Sequence, residues 1–340
     1  MRRALSTSTH LLAAAALACG AATLPASAAG AVPGASPFTF AVIGDIPYGD
    51  AQIAHFPKVV DQINADPAVQ FVDHLGDIKN GSTTCDDAYF GWIRHQFDRF
   101  QDPLVYTVGD NEWTDCHRPN NGSYNPLERL QAIRDVFFDR PGHTLGQRSV
   151  GVTSQADRGL PENVSYTRAG VSFAALHVVG SDNSLLPWTG LGKTAPTAEQ
   201  VAEEQHRTQG VIDEINRTFD RAGDQRAVVL MMQADMFDPT FPQPDQMNFG
   251  AFAPIVRTIA QRAAAFHGPV YLFNGDSHQY NVDHPVGTGS SWLRFYGVDT
   301  PANNLTRITV DGSTGVNDYL RVSVDPHSSA VLSWERVPFN

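Results

Sequence analysis

Four apolar runs in this chain of 340 residues end in a Gly-Asp pair, and this repetition constrains the fold more than any other feature of the sequence. The pairs are Gly44-Asp45, Gly76-Asp77, Gly109-Asp110 and Gly275-Asp276. Each run has the length and composition of a buried strand, and the glycine allows the chain to leave the sheet sharply. Amphipathic stretches with helical spacing follow the strands. The chain is therefore predicted to be an α/β protein whose sheets are flanked by helices.

The predicted elements alternate along most of the chain. Strands are predicted at 38–43, 70–75, 103–108, 164–167, 171–179, 227–232 and 270–273, and helices at 51–65, 86–100, 126–139, 197–222 and 252–266. Between 292 and 338, several strands of alternating apolar and polar residues are predicted to close the fold. The polar, turn-rich stretch 110–125 is longer than a packed domain normally carries without a functional reason.

The first residues have the pattern of a secretory signal peptide. Arg2 and Arg3 precede the apolar run 11–18, and Ala-Ser-Ala at 26–28 is typical of a cleavage site. We therefore predict a signal peptide at 1–28, a flexible mature N-terminus at 29–37 and a single domain at 38–340. Export to the cell envelope, the periplasm or the medium is expected. Lipidation at Cys19 and a disordered Ala-rich leader are the less favoured alternatives.

Cysteine content and charge narrow the function classes further. Cys85 and Cys116 remain after removal of the leader, and an even pair in an exported protein predicts a disulfide. Two unpaired buried thiols are the alternative, and zinc binding is less favoured because the cysteines are not closely spaced. The formal charge of −12, without a basic stripe, argues against a nucleic-acid groove. No other segment has the ~20 continuous apolar residues that a membrane span needs.

The four aspartates predict a cation site if the fold brings them together. In layered α/β proteins, ligands bind outside the carboxyl ends of strands. Several carboxylates gathered there would repel one another unless a cation neutralised them, so one or two divalent metal ions are expected. A single Gly-Asp is more often an ordinary turn, and the prediction depends on all four recurring directly after apolar runs.

Five sequence blocks, in this order, resemble the calcineurin-like metallophosphoesterase family. They are GDIPYGD at 44–50, HLGDIKNG at 74–81, VGDNEWTDC at 108–116, MMQAD at 231–235 and NGDSHQY at 274–280. The resemblance implies a four-layer α-β-β-α sandwich with mixed sheets around a two-metal site. It also implies hydrolysis of phosphate mono- or diesters, with a phosphorylated small molecule as substrate and a metal-activated water as nucleophile.

The resemblance assigns the metal ligands, and this chain departs from the family pattern at several of them. The candidate ligands are Asp45, Asp77, Asp110, Gln233, Asp276 and His278. Asp77 matches the carboxylate that bridges both metals. Asp110 replaces an Asn, and Gln233 and Asp276 each replace a His. A set of oxygen donors with one imidazole favours Mg²⁺, Mn²⁺ or Ca²⁺ over Zn²⁺ or Fe.

Further departures concern the proton donor and the substrate contacts. Asn111 stands in place of the His that assists the leaving group. His74 and His117 are therefore the candidate replacement acids. Of these, His74 fits a core position better, and His117 is expected to face solvent. Tyr48 is a candidate phenolic ligand or substrate contact, because Pro47 replaces the first His of the family. Lys79 and Asn80 follow Asp77 and are candidate substrate contacts.

The loss of family histidines leaves a second class of function open. A degenerate relative would bind metal, phosphate or a partner without turnover. An unrelated serine hydrolase is not favoured, because the sequence contains no Gly-x-Ser-x-Gly motif.

Overall fold

The computed structural model describes residues 36–240 and 249–340. The predicted signal peptide 1–28, the lipidation candidate Cys19 and most of the predicted segment 29–37 lie outside the described residues. The described residues all belong to the unit Ala31–Asn340.

Twelve strands and seven helices are found in the described residues. The strands are β1 Phe38–Ile43, β2 Val69–His74, β3 Leu104–Tyr106, β4 Thr153–Gln155, β5 Leu160–Arg168, β6 Val171–Ala175, β7 Ala227–Met231, β8 Val270–Asn274, β9 Asn281–Asp283, β10 Leu305–Thr309, β11 Asp318–Val324 and β12 Leu332–Pro338. The helices are α1 Gly49–Ala65, α2 Asp87–Phe97, α3 Pro126–Phe137, α4 Gly180–Asn183, α5 Ala198–Arg221, α6 Ala253–Ala265 and α7 Ser291–Tyr296.

The strands form two mixed sheets. The first has the order β12-β11-β1-β2-β3, and the second has the order β4-β5-β6-β7-β8-β10-β9. In the first sheet β1, β2 and β3 run parallel and β11 pairs antiparallel with β1. In the second sheet β6, β7, β8 and β10 run parallel, with antiparallel strands outside them. The carboxyl ends of the parallel strands in each sheet therefore lie at one edge.

The helices and sheets form four layers, and an apolar cluster fills each of the three interfaces between them. One lies between the first sheet and helices α1, α2 and α3, and another lies between the second sheet and helices α5, α6 and α7. The third fills the space between the sheets, where Phe40 packs edge-on against Phe173 and Phe273. Both faces of the central strands are thus buried, which explains their continuous apolar sequences. The predicted α-β-β-α sandwich with mixed sheets is confirmed.

Most predicted elements occur with shifted ends. The helix predicted at 197–222 is α5, which begins with a capping box between Thr197 and Gln200. The strand predicted at 103–108 shortens to β3, and the one at 171–179 shortens to β6. The prediction of strands from residue 292 onward is wrong at its first residues. Ser291–Tyr296 is a helix, capped by Ser290, and not part of a strand. Its aromatic residues pack against Phe237, and this long-range contact stabilises the helix.

The polar stretch 110–125 folds into short 3-10 turns at Thr114–His117 and Pro119–Asn121. A disulfide joins Cys85 to Cys116, as the sequence predicted, and ties this stretch to the loop after β2. Within the described ranges, no helix combines the length and apolar character needed to cross a membrane.

Candidate metal centre

The fold brings four aspartates and one histidine from distant blocks into one cluster. Ligand atoms of Asp45, Asp77 and His278 lie within 4.8 Å of one another, and so do those of Asp77, Asp110 and Asp276. Asp77 belongs to both groups, which is the arrangement that the resemblance implies for a bridging carboxylate. Two adjacent cation positions can therefore share this side chain.

Glycines allow the strand ends to approach the carboxylates closely. A Cβ atom at Gly109 would lie 2.2 Å from Asp77 Oδ1, and one at Gly275 would lie 2.1 Å from Asp45 Oδ2. A Cβ at Gly180 would lie 2.7 Å from Asp110 Oδ2 and 2.9 Å from both carboxylate oxygens of Asp276. The space around the carboxylates thus excludes any side chain at these three positions.

The backbone at the cluster is strained. Asp45, Asp77, Asp276 and His278 have φ angles of 52°, 54°, 71° and 61°. Residues with a Cβ rarely adopt this left-handed region, which costs about 1–3 kcal/mol each. Strain of this kind persists only where the surrounding structure enforces it, and it collects at functional sites. The geometry therefore favours a binding or catalytic role over four coincidental turns.

Hydrogen bonds orient Asp77 from one side. The Tyr48 hydroxyl donates to Asp77 Oδ2 at 2.7 Å, and the side-chain amide of Asn111 donates to the same oxygen at 2.8 Å. The backbone N–H of Asn111 donates to Asp77 Oδ1 at 3.1 Å. Tyr48 is buried beside the cluster, and its hydroxyl donates to the Asp77 carboxylate instead of facing a substrate cleft.

The other carboxylates have fewer donors. The Asp276 backbone N–H donates to Asp45 Oδ1 at 3.0 Å, and His278 Nε2 lies 3.3 Å from the same oxygen. Ser181 Oγ donates to Asp110 Oδ2 at 2.8 Å. The backbone N–H of Asp235 donates to Asp276 Oδ2 at 3.2 Å.

Gln233 reaches the cluster in a different orientation from the one predicted. Its carbonyl oxygen accepts the backbone N–H of Gly180 at 2.7 Å, while its amide nitrogen lies 3.4 Å from Asp110 Oδ1. The side chain therefore presents its NH₂ group, not its carbonyl oxygen, to the carboxylates. This corrects the expectation of a carbonyl ligand, because the carbonyl is occupied by the backbone.

The electrostatics of the cluster fit a bound cation. Burial, followed by repulsion from Asp110, raises the pKa of Asp77 well above its usual value, and the same two causes raise the pKa of Asp276. Burial also raises the pKa of Asp45, although His278 lowers it in part. Across residues 36–240 and 249–340, no Lys or Arg forms an ion pair with these carboxylates. The donors and the uncompensated charge therefore suit divalent metal ions.

Both candidate acid histidines are held by the backbone, His74 at both ring nitrogens and His117 at Nδ1. His74 Nε2 lies 2.9 Å from the Ile46 carbonyl, and its Nδ1 accepts the N–H of Gly76 at 3.2 Å. Burial lowers the pKa of His74 to about 4, as expected for the core position that the sequence favoured. His117, expected to face solvent, is only 5% exposed, and its Nδ1 accepts the N–H of Gly190. The 3-10 turn packs it inward.

The predicted substrate contacts are also occupied. Lys79 is fully buried, and its Nζ donates to the Asn111 carbonyl at 2.7 Å. Its ammonium group therefore lies under the site and does not face a substrate. Asn80 Oδ1 accepts four hydrogen bonds from Ser82 and Thr83, so this side chain orders its own loop.

Three further residues support the site, and one of them, Glu112, was missed in the sequence. Glu112 Oε1 accepts the backbone N–H groups of Asp77 and Gly109 and the Tyr106 hydroxyl, and so connects two of the loops. Burial raises the pKa of Glu112 to about 7. Ser181 and Asp182 lie in α4, where positive φ angles make a turn rather than a regular helix. Glu112 stands within the VGDNEWTDC block, so its position carried a signal. The segment 180–183 follows a predicted strand, and its sequence fits either a cleft-lining position or a polar turn; the contact of Ser181 with Asp110 supports the first.

The chain is similar to a known protein family over part of its length. The model of the calcineurin-like phosphoesterase family matches residues 38–182. No curated protein sequence matches the chain. Among solved structures, GAP50, the anchor in the inner membrane complex of Plasmodium, is 9% identical with a TM-score of 0.44, over 89% of this chain and 89% of that one.

Two further structures are similar to the chain at the same level. The purple acid phosphatase PPD1 from yellow lupin (Lupinus luteus) seeds is 10% identical with a TM-score of 0.41, and the alignment covers 89% of this chain and 54% of that one. The 5′-nucleotidase precursor from Thermus thermophilus is 10% identical with a TM-score of 0.44, over 89% and 55%. This chain thus spans about half the length of each. The match of the calcineurin-like phosphoesterase family model to residues 38–182 confirms, over that part of the chain, the resemblance predicted from the sequence blocks.

Proposed function

We propose that this protein is an exported, metal-dependent phosphoesterase whose substrate is a phosphorylated small molecule. The observation that carries the proposal is the convergence of Asp45, Asp77, Asp110, Asp276 and His278 without a compensating Lys or Arg among the described residues. The family match over residues 38–182 agrees with it. We propose two divalent ions as cofactors, with Mg²⁺, Mn²⁺ or Ca²⁺ favoured because oxygen donors predominate.

In the proposed site, Asp45 and His278 would hold one ion and Asp110 and Asp276 the other, with Asp77, which belongs to both groups, available to either. Bound divalent ions supply Lewis-acid stabilisation of phosphoryl oxygens and an activated water. The protein orients this chemistry through Tyr48 and Asn111, which fix the rotamer of Asp77 by two hydrogen bonds to Oδ2. Ser181 holds Asp110 in the same way.

Asn111, predicted beside the leaving group, has no side-chain N–H left for an ester oxygen, because its amide donates to Asp77 Oδ2 at 2.8 Å and to the Tyr48 hydroxyl at 2.9 Å. We therefore propose that Asn111 positions Asp77 and does not contact the leaving group. With His74 held at both ring nitrogens and His117 packed inward with Nδ1 on the backbone, we propose that the leaving group takes its proton from water. Substrates with acidic leaving groups, such as aryl esters, are therefore expected to react fastest.

Export is part of the same proposal. The leader pattern at 1–28 and the Cys85–Cys116 disulfide both favour an oxidising compartment outside the cytosol. N-terminal sequencing of the protein secreted by its host would test this, with a mature start near Ala29 as the expected result.

Hydrolysis of aryl phosphate mono- and diesters by the mature protein is the test of activity. Each substrate would be assayed after removal of metal and after addition of Mg²⁺, Mn²⁺, Ca²⁺ or Zn²⁺. Turnover that depends on metal and is lost in Asp77→Asn supports the proposal, and the exposed Asp224→Asn is the matched control. Metal binding without turnover of any substrate would favour the alternative, a relative that binds metal or phosphate without catalysis.

A further inference from the structure

The charges around the cluster carry an inference about the substrate. Four carboxylates supply the ligands, from Asp45, Asp77, Asp110 and Asp276. Three acidic groups lie next to the ligand residues, and each has a cation nearby. Arg118 Nη2 lies 2.7 Å from Asp115 Oδ2, and the buried Arg307 pairs with Asp235. Glu112 and the buried Lys79 support the same two loops, since Glu112 Oε1 accepts the Asp77 N–H and Lys79 Nζ donates to the Asn111 carbonyl. These three pairs add no net charge.

The loaded site is therefore close to neutral. Two bound divalent cations would carry four positive charges. Four ligand carboxylates balance these charges, and neither Lys79 nor Arg118 is left over to add a positive one. His278 is already directed at Asp45, at 3.3 Å from Oδ1. An incoming anion thus meets little net attraction beyond its direct contacts with the ions.

Such a site discriminates between substrates by their charge. A phosphate monoester carries two negative charges near neutral pH, and a phosphate diester carries one. Placing the extra charge of a monoester beside Asp110 and Asp276, in a buried setting of low dielectric, is costly. Asp110 and Asp276 belong to the same ligand group, and Asp276 is only partly buried, so this side of the cluster is open to an incoming anion.

Resting on the proposed function, we propose that the site selects monoanionic phosphodiesters over dianionic phosphomonoesters, with Asp110 and Asp276 as the residues that set this preference. They act on the substrate through their charge. Their negative charge weakens the binding of a diester less than it weakens the binding of a monoester. Replacing either by a neutral residue would return one positive charge to the loaded site.

Two substrates with the same leaving group test the proposal: p-nitrophenyl phosphate and bis(p-nitrophenyl) phosphate at pH 8, with Mn²⁺. The wild-type protein is expected to have the higher kcat/KM for the diester. In Asp110→Asn or Asp276→Asn, the monoester-to-diester ratio of kcat/KM is expected to rise about tenfold or more. Asp110→Glu keeps the charge and is expected to keep the wild-type ratio. A wild-type preference for the monoester, or ratios unmoved by both neutral substitutions, would overturn the proposal.

A binding measurement separates this inference from the proposed activity. Calorimetry would compare orthophosphate, mainly dianionic at pH 8, with the monoanion dimethyl phosphate on metal-loaded protein of measured metal content. The wild type is expected to bind orthophosphate no more tightly than dimethyl phosphate. In the neutral variants, the affinity for orthophosphate is expected to rise about tenfold, while the affinity for dimethyl phosphate stays the same. If no ester is hydrolysed but this pattern holds, the proposed function fails and the charge selection stands. Tighter orthophosphate binding by the wild type, at full metal content, would refute the selection even if hydrolysis occurs.

Discussion

At the residue scale, the site depends on side chains that orient a metal ligand without being ligands themselves. Asp77 is held in place by Tyr48 and Asn111, whose hydroxyl and amide also contact each other at 2.9 Å. Residues that orient a metal ligand commonly matter almost as much as the ligand itself. Tyr48 was predicted as a ligand or substrate contact because of its position in the first block. The structure places it where it positions a carboxylate.

Tyr48→Phe therefore separates orientation from ligation. The substitution removes the hydroxyl that donates to Asp77 Oδ2 and keeps the ring that packs edge-on against His278. We expect metal affinity, measured by calorimetry, to fall about 10- to 100-fold and the free energy of unfolding without metal to fall by about 1 kcal/mol. Tyr124→Phe is the matched control, since its ring contact with Arg129 survives. Unchanged metal affinity in Tyr48→Phe would show that Asp77 needs no such support.

A second residue-scale prediction concerns Asp73, which is 1% exposed on β2. Burial raises the pKa of its carboxyl group well above the usual value, and the Tyr166 hydroxyl lowers it only in part. The folded state then holds a proton that the unfolded state releases near pH 4. The stability contributed by this group is present below that pH and is lost as the pH rises toward the raised pKa.

Asp73→Asn removes this titration. We expect the free energy of unfolding to rise by about 1–3 kcal/mol at pH 7.5 and to change little at pH 4. Urea unfolding at both pH values measures the difference. Asp224→Asn, at an exposed turn, is expected to change neither value. A loss of stability in Asp73→Asn at pH 7.5 would mean that the ionised form has a partner in the folded protein.

At the element scale, the sequence predicts the strands that carry ligands better than the loops that complete the site. The run 38–43 gives both the location and the ends of β1, because apolar residues contact both the helix layer and the other sheet. Asp45, Asp77, Asp110 and Asp276 could be identified because each follows such a run. Gln233 could be placed near them, but its orientation depends on Gly180, which is 53 residues away in the chain.

Long-range contacts explain the other differences as well. Ser291–Tyr296 alternates poorly for a strand, but its helix depends on packing against Phe237 and could not be assigned from local spacing. Lys79 looks like a surface residue in sequence, yet the stretch joined by Cys85 and Cys116 covers it. Local pattern therefore predicts the layers and the acidic cluster. Side-chain direction in the loops depends on contacts that only the folded chain has.

The close approach of α4 to the cluster gives an element-scale prediction. In Gly180→Ala, the added Cβ would lie within 2.9 Å of oxygens on Asp110 and Asp276, so these carboxylates must move apart. We expect metal affinity to fall at least about tenfold, because ligands tolerate little displacement. Gly91→Ala is the matched control: its Cβ would meet no atom within 4 Å, and its place in α2 predicts a gain of about 0.5–1 kcal/mol in stability. Equal metal affinity in the two variants would contradict the crowding argument.

At the scale of the whole molecule, the cluster joins the two sheets. Asp45, Asp77 and Asp110 follow β1, β2 and β3 of the first sheet, whereas Asp276 and His278 follow β8 of the second. Without cations, repulsion among these buried carboxylates opposes the packing of one sheet on the other. Bound divalent ions would cross-link the sheets. The stability of the fold and the occupancy of the site are therefore expected to be coupled.

This coupling predicts opposite responses to pH with and without metal. Burial and mutual repulsion raise the pKa values of Asp45, Asp77 and Asp276 above those of the unfolded chain. The metal-free folded state thus binds more protons than the unfolded state, and its stability is expected to fall as the pH rises from 5 to 7.5. Metal ions compete with those protons, so the stabilisation by Mn²⁺ is expected to grow over the same range, to about 2.7 kcal/mol at a hundredfold excess over Kd. Urea unfolding in EDTA and in Mn²⁺ at the two pH values measures both trends. Asp77→Asn is expected to reduce the pH dependence of the free energy of unfolding in both conditions. An identical pH dependence in EDTA and in Mn²⁺ would mean that these carboxylates do not bind the metal ion.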